Sequence, residues 1–423
     1  MPEVRLPSED ERVMMAQRPH RVFLHVGAPK TGTTYLQQVL FHYREELLAD
    51  GVSYPADSYD DHFFAAVDLE DLDFSAAPRP EARGAWDRLA SRLHTWDGVS
   101  VVSHDVFAGA TPEQAGRAIA SLAPAEVHVV LTARDLGRQL PSHWQEDVKH
   151  GQSRTFRQWY DGIVRREPDD WQLRWFWRVE DLPDVLRRWG ATLPPERVHV
   201  VTVPHPGEHE DSLWPRFASV IGLGPDDLDL DVVSHPNRGL GVAEVALLRS
   251  VAAVRDDRLD QRSYEHLIKG VLAHETLGRV EPVGAFGLPP DLLPQVRERS
   301  RGWIESIATA GYDVVGDLDE LLPLEREDGR LDPDAAEPVD VARVGALAVF
   351  ETTVRLAQER ETADLRARAL SHELAEARRV IAEHEGLPAG VRIRRTVVEI
   401  ARTHGSVGAA LGVYRRLRRR PRA

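Results

Sequence analysis

The chain has 423 residues, a net charge of −15 and no cysteine. This length predicts two or three domains with a large core, and the lack of cysteine excludes disulfides and thiolate metal sites. Residues 1–20 are polar and charged, without the apolar stretch of a signal peptide, and no window approaches the roughly 18 uncharged apolar residues of a membrane-spanning helix. We therefore expect a soluble, cytoplasmic protein with a disordered N-terminus over residues 1–20.

The charge is unevenly distributed along the chain. Residues 391–423 carry ten Arg and one Glu, a balance of +9, which leaves −24 on residues 1–390. So acidic a body excludes a general nucleic-acid-binding surface. Only three residues are lysine, Lys30, Lys149 and Lys269, so that fifty of the 53 basic residues are arginine. A lysine inside a glycine-bearing loop, as Lys30 is, departs from this bias.

The stretch from Arg21 to Leu40 predicts a buried strand, a glycine-bearing loop and an amphipathic helix. A loop that leads into a helix N-terminus presents backbone N–H groups and the positive end of the helix dipole to an anion. Apolar residues of the helix recur at spacings of three and four and predict one buried face; they are Leu36, Val39, Leu40, Tyr43 and Leu47. Gly27 and Gly32 have the spacing of a nucleotide-triphosphate loop, but Thr33 stands where its phosphate-binding lysine would be.

The loop residues Pro29, Lys30, Thr31, Gly32, Thr33 and Thr34 resemble the 5′-phosphosulfate loop of sulfotransferases that use 3′-phosphoadenosine 5′-phosphosulfate (PAPS). The resemblance implies that Lys30 neutralises charge on the bridging oxygen as the sulfuryl group leaves. It also implies that the neighbouring backbone amides and hydroxyls hold the 5′-phosphate of the cofactor.

A second stretch resembles the same family. Residues 126–132 predict a strand, and Arg134 and Ser142 follow it with the spacing of the Arg and Ser that hold the 3′-phosphate of PAPS in sulfotransferases. Arginine offers a bidentate fork to a phosphate, and we expect Ser142 to lie near a helix start after Pro141, with free N–H groups nearby. Arg238, in a later loop, is a looser candidate for the same phosphate.

Polar residues end a further predicted strand, and they are candidates for the general base. Residues 98–107 predict a buried strand that ends in Ser103, His104 and Asp105, where open α/β sheets place their ligands. Strand alternation puts His104 and Asp105 on opposite faces, so at most one faces the acceptor unless the strand ends earlier. The alternative for Asp105 is to cap the next turn.

His62 is the third candidate for the base. It lies in an acidic stretch from Asp50 to Pro80 that we expect to be rich in loops and to cover the acceptor. The alternative for His62 is a structural role in the core. Tryptophans between Thr155 and Gly190 predict core and lid packing, or else a platform on which a sugar stacks; they are Trp159, Trp171, Trp175, Trp177 and Trp189.

The C-terminal part of the chain has a different composition. Residues 325–338 have the composition of a linker and separate the sulfotransferase-like domain, 21–324, from a long charged helix over 339–386. A short heptad seam in that helix fits either a homodimeric coiled coil or a helix docked on the body; it consists of Ala363, Ala367, Leu370, Leu374, Ala377 and Ile381. In the tail, 387–423, arginines and apolar residues alternate. Its residues 391–423 either contact an anionic membrane surface from the cytoplasmic side or form a disordered tail.

Together these observations predict an α/β fold: a parallel sheet flanked by helices, a P-loop-like phosphosulfate loop and a C-terminal helical or coiled-coil extension. The resemblance implies transfer of sulfuryl from PAPS, without a metal, to a hydroxyl or amine of a small-molecule, carbohydrate or glycolipid acceptor. The alternatives are a P-loop kinase that acts on a small molecule, and a non-catalytic nucleotide-binding scaffold. The sequence does not identify the acceptor.

Overall fold

The computed structural model describes residues 20–72, 80–166, 170–205, 207, 213–224, 228–233, 239–325 and 329–385. The chain divides into two units, Met1–Ala348 and Val349–Ala423. The predictions for residues 1–19, for Arg238 and for the basic tail 387–423 lie outside the described residues.

Six parallel strands form a single sheet in the order β2-β3-β1-β4-β5-β6. The strands are β1 (Arg21–His25), β2 (Val52–Ser53), β3 (Val99–Ser103), β4 (Glu126–Ala133), β5 (Val198–Thr202) and β6 (Asp313–Val315). Helices connect them, as parallel pairing requires. The predicted fold class, a parallel α/β sheet flanked by helices with a long C-terminal helix, is confirmed.

The α-helices, in chain order, are α1 (Thr33–His42), α2 (Arg44–Ala49), α3 (Asp61–Glu70), α4 (Ala85–Leu93), α5 (Pro112–Ser121), α6 (Leu136–Lys149), α7 (Phe156–Arg165), α8 (Trp171–Glu180), α9 (Leu182–Gly190), α10 (Leu213–Ile221), α11 (Val242–Ala253), α12 (Gln261–Tyr264), α13 (Leu293–Ala310) and α14 (Pro338–Glu385). A π-helix over Glu265–Thr276 continues α12. Short 3₁₀ helices span Asp105–Gly109, Pro195–Arg197, Leu230–Val232, Leu277–Arg279 and Leu318–Leu321.

The two faces of the sheet are both buried, each under its own hydrophobic cluster. Alternation along β1 places Val22 and Leu24 in one cluster and Phe23 in the other. The second cluster also contains the predicted apolar face of the helix after the loop, with Leu36, Leu40 and Leu47. That helix is interrupted at Tyr43, where α1 ends and α2 begins.

The chain order of the strands creates a switch point at β1. After β1 the chain builds β2 and β3 on one side, and it then crosses to place β4 on the other. The carboxyl ends of β3, β1 and β4 are therefore adjacent, which is where open α/β sheets bind their ligands. The loop of Lys30, the pair His104 and Asp105, and Arg134 all follow these three ends.

One expectation about the chain outside the sheet was wrong. The acidic stretch expected to be loop-rich contains α3, because Ala65, Ala66 and Leu69 bury an apolar face there. That residues 325–338 form a linker stays a prediction; the described part of this segment lies in the first unit. Asp334 accepts hydrogen bonds from the backbone N–H groups of residues 156 and 157, at 2.8 and 3.1 Å. Asp334 thus ties its own part of the chain to the N-terminus of α7.

The long helix α14 covers 48 residues, close to the predicted range of 339–386. Two leucines of the heptad seam, Leu370 and Leu374, are exposed by 65% and 53%. A homodimer through this seam stays a prediction. Among the described residues, no helix combines the length and apolarity needed to cross a membrane.

Candidate active site

The loop between β1 and α1 turns through two residues with positive φ, Lys30 at 61° and Gly32 at 89°. Glycine adopts this left-handed conformation freely, whereas for lysine it costs on the order of 1–2 kcal/mol. Gly32 is the N-cap of α1, and no side chain caps this helix end. The N–H groups of the first turn can therefore bind an anion.

A buried polar network holds the loop on the sheet. The Thr132 hydroxyl donates to the carbonyl oxygen of Gly27 at 3.0 Å, and the Thr31 hydroxyl donates to that of Ala28 at 2.6 Å. The His25 ring bridges Ser103 Oγ at 2.7 Å and Thr132 Oγ1 at 3.2 Å. Strands β1, β3 and β4 thus fix the loop through side chains that are themselves fully buried.

Buried histidines make the stability depend on pH. Burial lowers the pKa of His25 to about 4 and that of His62 to about 3, so both rings fold in the neutral form. Below pH 6.5, the ordinary pKa of histidine, these two rings take up protons in the unfolded chain but not in the folded chain. We therefore expect the free energy of unfolding to be greatest above pH 6.5 and to fall as the pH drops towards 4, by about 3 kcal/mol for each ring.

Urea unfolding at several pH values measures this dependence. His25→Gln removes one titrating ring, so the variant should lose less stability between pH 6.5 and 4 than the wild type, although it starts less stable. Equal slopes for the two proteins would show that His25 does not cause the loss.

A second buried network supports the loop from α6 and α8. The Gln139 amide donates to the carbonyl oxygen of Pro29, and also to Glu180 Oε2 at 2.7 Å. Glu180 Oε1 accepts from the His143 ring at 2.6 Å. Although burial lowers the pKa of His143, the carboxylates of Asp147 and Glu180 raise it overall. A charged His143 between two carboxylates stabilises this support.

Arg134 follows β4 and contacts the phosphate-loop candidate directly. Its Nη1 donates to the carbonyl oxygen of Lys30 at 2.9 Å, and its side chain is half-buried. The two motifs, which are 104 residues apart in the chain, are therefore neighbours at the carboxyl ends of β1 and β4.

The predicted surroundings of Ser142 were wrong. The helix does not start after Pro141: it starts at Leu136, with Asp135 as its N-cap, and Pro141 lies inside it. Asp135 accepts from the N–H of Arg138 at 3.0 Å, which fixes the earlier start. Ser142 therefore lies two turns into α6, half-buried, and it offers a hydroxyl rather than free N–H groups.

A cavity of about 860 Å³ opens beside the loop. Pro29 and Lys30 line one side of it, and His104 and Asp105 line another at the end of β3. Three aromatic residues, Phe63, Trp171 and Trp175, and a group of charged residues complete the wall; that group includes Glu146, Asp147, His150, Glu265 and Lys269. Of the predicted tryptophans, Trp159 and Trp189 are buried in the core, whereas Trp171 and Trp175 face this cavity.

His104 and Asp105 both reach the cavity because β3 ends at Ser103 and a 3₁₀ helix begins at Asp105. The residue that caps this turn is His104, whose Nδ1 accepts from the N–H of Val106 at 3.1 Å. This bond places the ring proton on Nε2, so neutral His104 presents a donor to the cavity. Burial lowers the pKa of His104, which favours this neutral form. Asp105 offers carboxylate lone pairs.

His62 is not brought to the cavity wall. Its side chain is buried, and its Nδ1 accepts from the N–H of Ser103 at 3.3 Å. The structure thus brings together Lys30, His104 and Asp105, and it places His62 behind β3.

Glu146 is a cavity residue that our sequence analysis missed. Its carboxylate contacts the ammonium groups of Lys30, Lys269 and Lys149 at 2.8, 2.7 and 3.4 Å, and the His150 ring at 3.5 Å. The helical spacing of Glu146 with Lys149 and His150 was the one visible signal.

The lysine contacts set the charge state of Glu146 and Lys30. Burial alone would lower the pKa of Lys30, but Glu146 raises it above the ordinary value, so this ammonium is charged. Conversely, burial would raise the pKa of Glu146, but Lys30, His150 and the other two lysines hold it well below the ordinary value. Within the described ranges, no three His, Asp or Glu side chains are grouped so that they could hold a metal ion.

Comparison with known proteins gives one similar structure. No model of a known protein family matches the chain. No curated protein matches it either. Among solved structures, the chain is similar to a sulfotransferase from Alicyclobacillus acidocaldarius, with 18% sequence identity and a TM-score of 0.34. The similarity covers 59% of this chain and 96% of that one.

Proposed function

We propose that this protein is a sulfotransferase that transfers the sulfuryl group of PAPS to a hydroxyl or amine of a small-molecule, carbohydrate or glycolipid acceptor. The observation that supports this most is the contact between Arg134 and the Lys30 carbonyl, at 2.9 Å. It joins two separate anion-binding elements, an uncapped helix N-terminus with a lysine loop and an arginine, and Lys30 of that loop lines one large cavity.

The cofactor phosphates would bind to these two elements. The 5′-phosphate would accept from the N–H groups and hydroxyls of residues 31–34, next to Pro29. Arg134 would bind the 3′-phosphate as a bidentate fork, with the Ser142 hydroxyl as its partner. Lys30, between the loop and the cavity, would then lie beside the bridging oxygen of the phosphosulfate. Arg238 remains a proposed further ligand of the 3′-phosphate.

The reaction would be an in-line displacement at sulfur. The acceptor oxygen or nitrogen attacks sulfur while the bond between sulfur and the bridging oxygen breaks, and the electron pair of that bond stays on the phosphate of 3′-phosphoadenosine 5′-phosphate (PAP). Lys30 stabilises this developing charge. We propose Asp105 as the base that takes the acceptor proton, because His104 presents an N–H instead of a lone pair.

A thermal-shift experiment tests the cofactor. PAP should stabilise the protein without magnesium, because Lys30, Arg134 and the helix N-terminus supply the positive field without a metal. ATP with magnesium should stabilise it less, because Thr33 replaces the lysine that would reach the terminal phosphates. Equal or greater stabilisation by magnesium-ATP would favour the small-molecule kinase instead. No stabilisation by any nucleotide would contradict the proposal.

Arg134 distinguishes the two phosphates of the cofactor. Arg134→Ala should weaken the binding of PAP by about tenfold to a hundredfold, because a bidentate charged contact contributes about 1.5–3 kcal/mol. The same variant should have a much smaller effect on the binding of adenosine 5′-phosphosulfate, because that nucleotide lacks the 3′-phosphate. Calorimetric titration of both nucleotides measures the difference. Equal weakening of the two would mean that Arg134 acts through the Lys30 carbonyl, as a support of the loop.

A further inference from the structure

We infer that the cavity binds an acceptor carrying an anionic group, a carboxylate or a phosphate ester, and that Lys269, supported by His150 and Lys149, forms its anion subsite. The subsite lies next to the sulfuryl position but apart from the phosphate-binding elements. The inference rests on the proposed function for the identity of the molecule as an acceptor. The subsite itself rests on the arrangement around Glu146.

The first observation is the convergence of the lysines. The chain has only Lys30, Lys149 and Lys269, and all three lie within 3.4 Å of the Glu146 carboxylate. His150 adds a fourth nitrogen at 3.5 Å from the same carboxylate, and it lies 2.7 Å from the Lys269 ammonium. Three ammonium groups around two oxygens are the surroundings that a bound oxyanion receives, while His150 Nε2 accepts from the Lys269 ammonium.

The second observation is the excess of positive charge. One carboxylate faces three ammonium groups, which leaves a local balance of +2 before any histidine is counted. Burial and the two other ammonium groups lower the pKa of Lys149, even though Glu146 opposes them. Burial and the same lysines lower the pKa of His274 to about 4. The negative charge of Glu146 therefore neutralises the three ammonium groups only in part.

Two other carboxylates on the cavity wall have partners elsewhere. Asp147 accepts from the Trp159 indole at 2.8 Å, and Glu265 accepts from the Gln261 amide at 3.2 Å. Asp105 lies beside His104, at the end of β3. Glu146 is the carboxylate that the three lysines contact within the described part of the chain.

The third observation is access. The side chains of Lys269 and His150 are 27% and 33% exposed, and both line the cavity. An anionic group entering the cavity can therefore reach the Lys269 ammonium. The aromatic wall of Phe63, Trp171 and Trp175 faces the same space and suits the ring of a sugar or a similar body.

The test uses the three lysines as probes. Full-length protein labelled with ¹³C at lysine side chains gives only three side-chain lysine signals, all from this cluster. With PAP at saturation, glucuronate and glucose 6-phosphate should shift the Lys149 and Lys269 signals at millimolar concentrations, and glucose should not. The inference is overturned if neither anion shifts these signals, or if glucose shifts them equally.

Two variants should change the affinity for the anions in opposite directions. Glu146→Gln removes the internal counter-charge and should tighten binding of both anions by about tenfold, the effect of about 1.4 kcal/mol. Lys269→Met should weaken it by about tenfold, whereas Arg258→Gln, which removes one charge from an exposed side chain outside the cavity, should not change it. Weaker anion binding by Glu146→Gln would show that Glu146 only holds the lysines in place, and would overturn the inference.

The proposed function and the anion subsite fail separately. If PAP shifts no lysine signal and does not stabilise the protein, the sulfotransferase proposal fails, and titration of the nucleotide-free protein still decides the subsite. If PAP binds and the anions do not, only the subsite fails.

Discussion

Replacing Lys30 with alanine should lower turnover by about 10²–10³, the loss expected when one donor to a developing oxyanion is removed. Binding of PAP should weaken much less, because the charge on the leaving oxygen develops only as the sulfur bond breaks. Turnover with saturating PAPS, compared with PAP affinity from calorimetry, measures the two effects. Equal losses in both would mean that Lys30 binds the nucleotide but does not assist departure of PAP.

The backbone of Lys30 calls for a second variant. Lys30 has a φ of 61°, so alanine at this position keeps the conformational strain, whereas glycine relieves it. Lys30→Gly should be as inactive as Lys30→Ala, although its loop is unstrained. An active glycine variant would show that the alanine variant fails through its loop. Lys30→Arg should restore little activity, because a planar guanidinium does not replace a compact ammonium beside Glu146.

Asp105→Asn should lower turnover by about 10²–10⁴ and remove the acidic limb of the pH–rate profile. The amide keeps the size of the side chain but cannot take the acceptor proton. The turn after β3 should persist, because its cap is His104 Nδ1, which accepts from the N–H of Val106. Turnover measured against pH, at saturating PAPS and acceptor, reports both the loss and the change of the profile.

His104 and His62 provide the matched comparison. His104→Gln keeps an acceptor near the N–H of Val106, and it should retain the acidic limb with a smaller loss of rate. His62→Gln should lower stability and leave the profile unchanged, since this ring lies behind β3. If the limb disappears in His104→Gln and persists in Asp105→Asn, the base is His104. Normal profiles in all three variants would assign the base to another cavity residue, with Glu146 as the next candidate.

The parts of the site that the sequence predicted are those that local chemistry determines. A glycine-bearing loop between a buried strand and an amphipathic helix has few alternative structures, so the loop of Lys30 was predictable from about twenty residues. The neighbouring position of Arg134 followed from strand ends in a parallel sheet, where carboxyl ends share one edge. Both elements lie where these rules place them.

The parts that were not predicted depend on where an element begins or on contacts between distant residues. The start of α6 was missed because Asp135 caps the helix six residues before Pro141. Proline is common in the first turn of a helix, so Pro141 indicated a later start. The end of β3 was left open for a similar reason, since one residue decides whether Asp105 continues the alternation. The contact between Glu146 and Lys269 joins residues 123 positions apart, and no local pattern reports it.

The contact of all three lysines with Glu146 affects how the protein can be labelled chemically. Reagents that acylate or alkylate primary amines usually modify many surface sites, but here their side-chain targets are three residues in contact with Glu146. The lowered pKa of Lys149 leaves a larger fraction of that amine unprotonated and therefore nucleophilic. Coupling to a sensor surface through lysine would thus attach the protein beside its own cavity, and tags on other residue types would be needed to keep the cavity open.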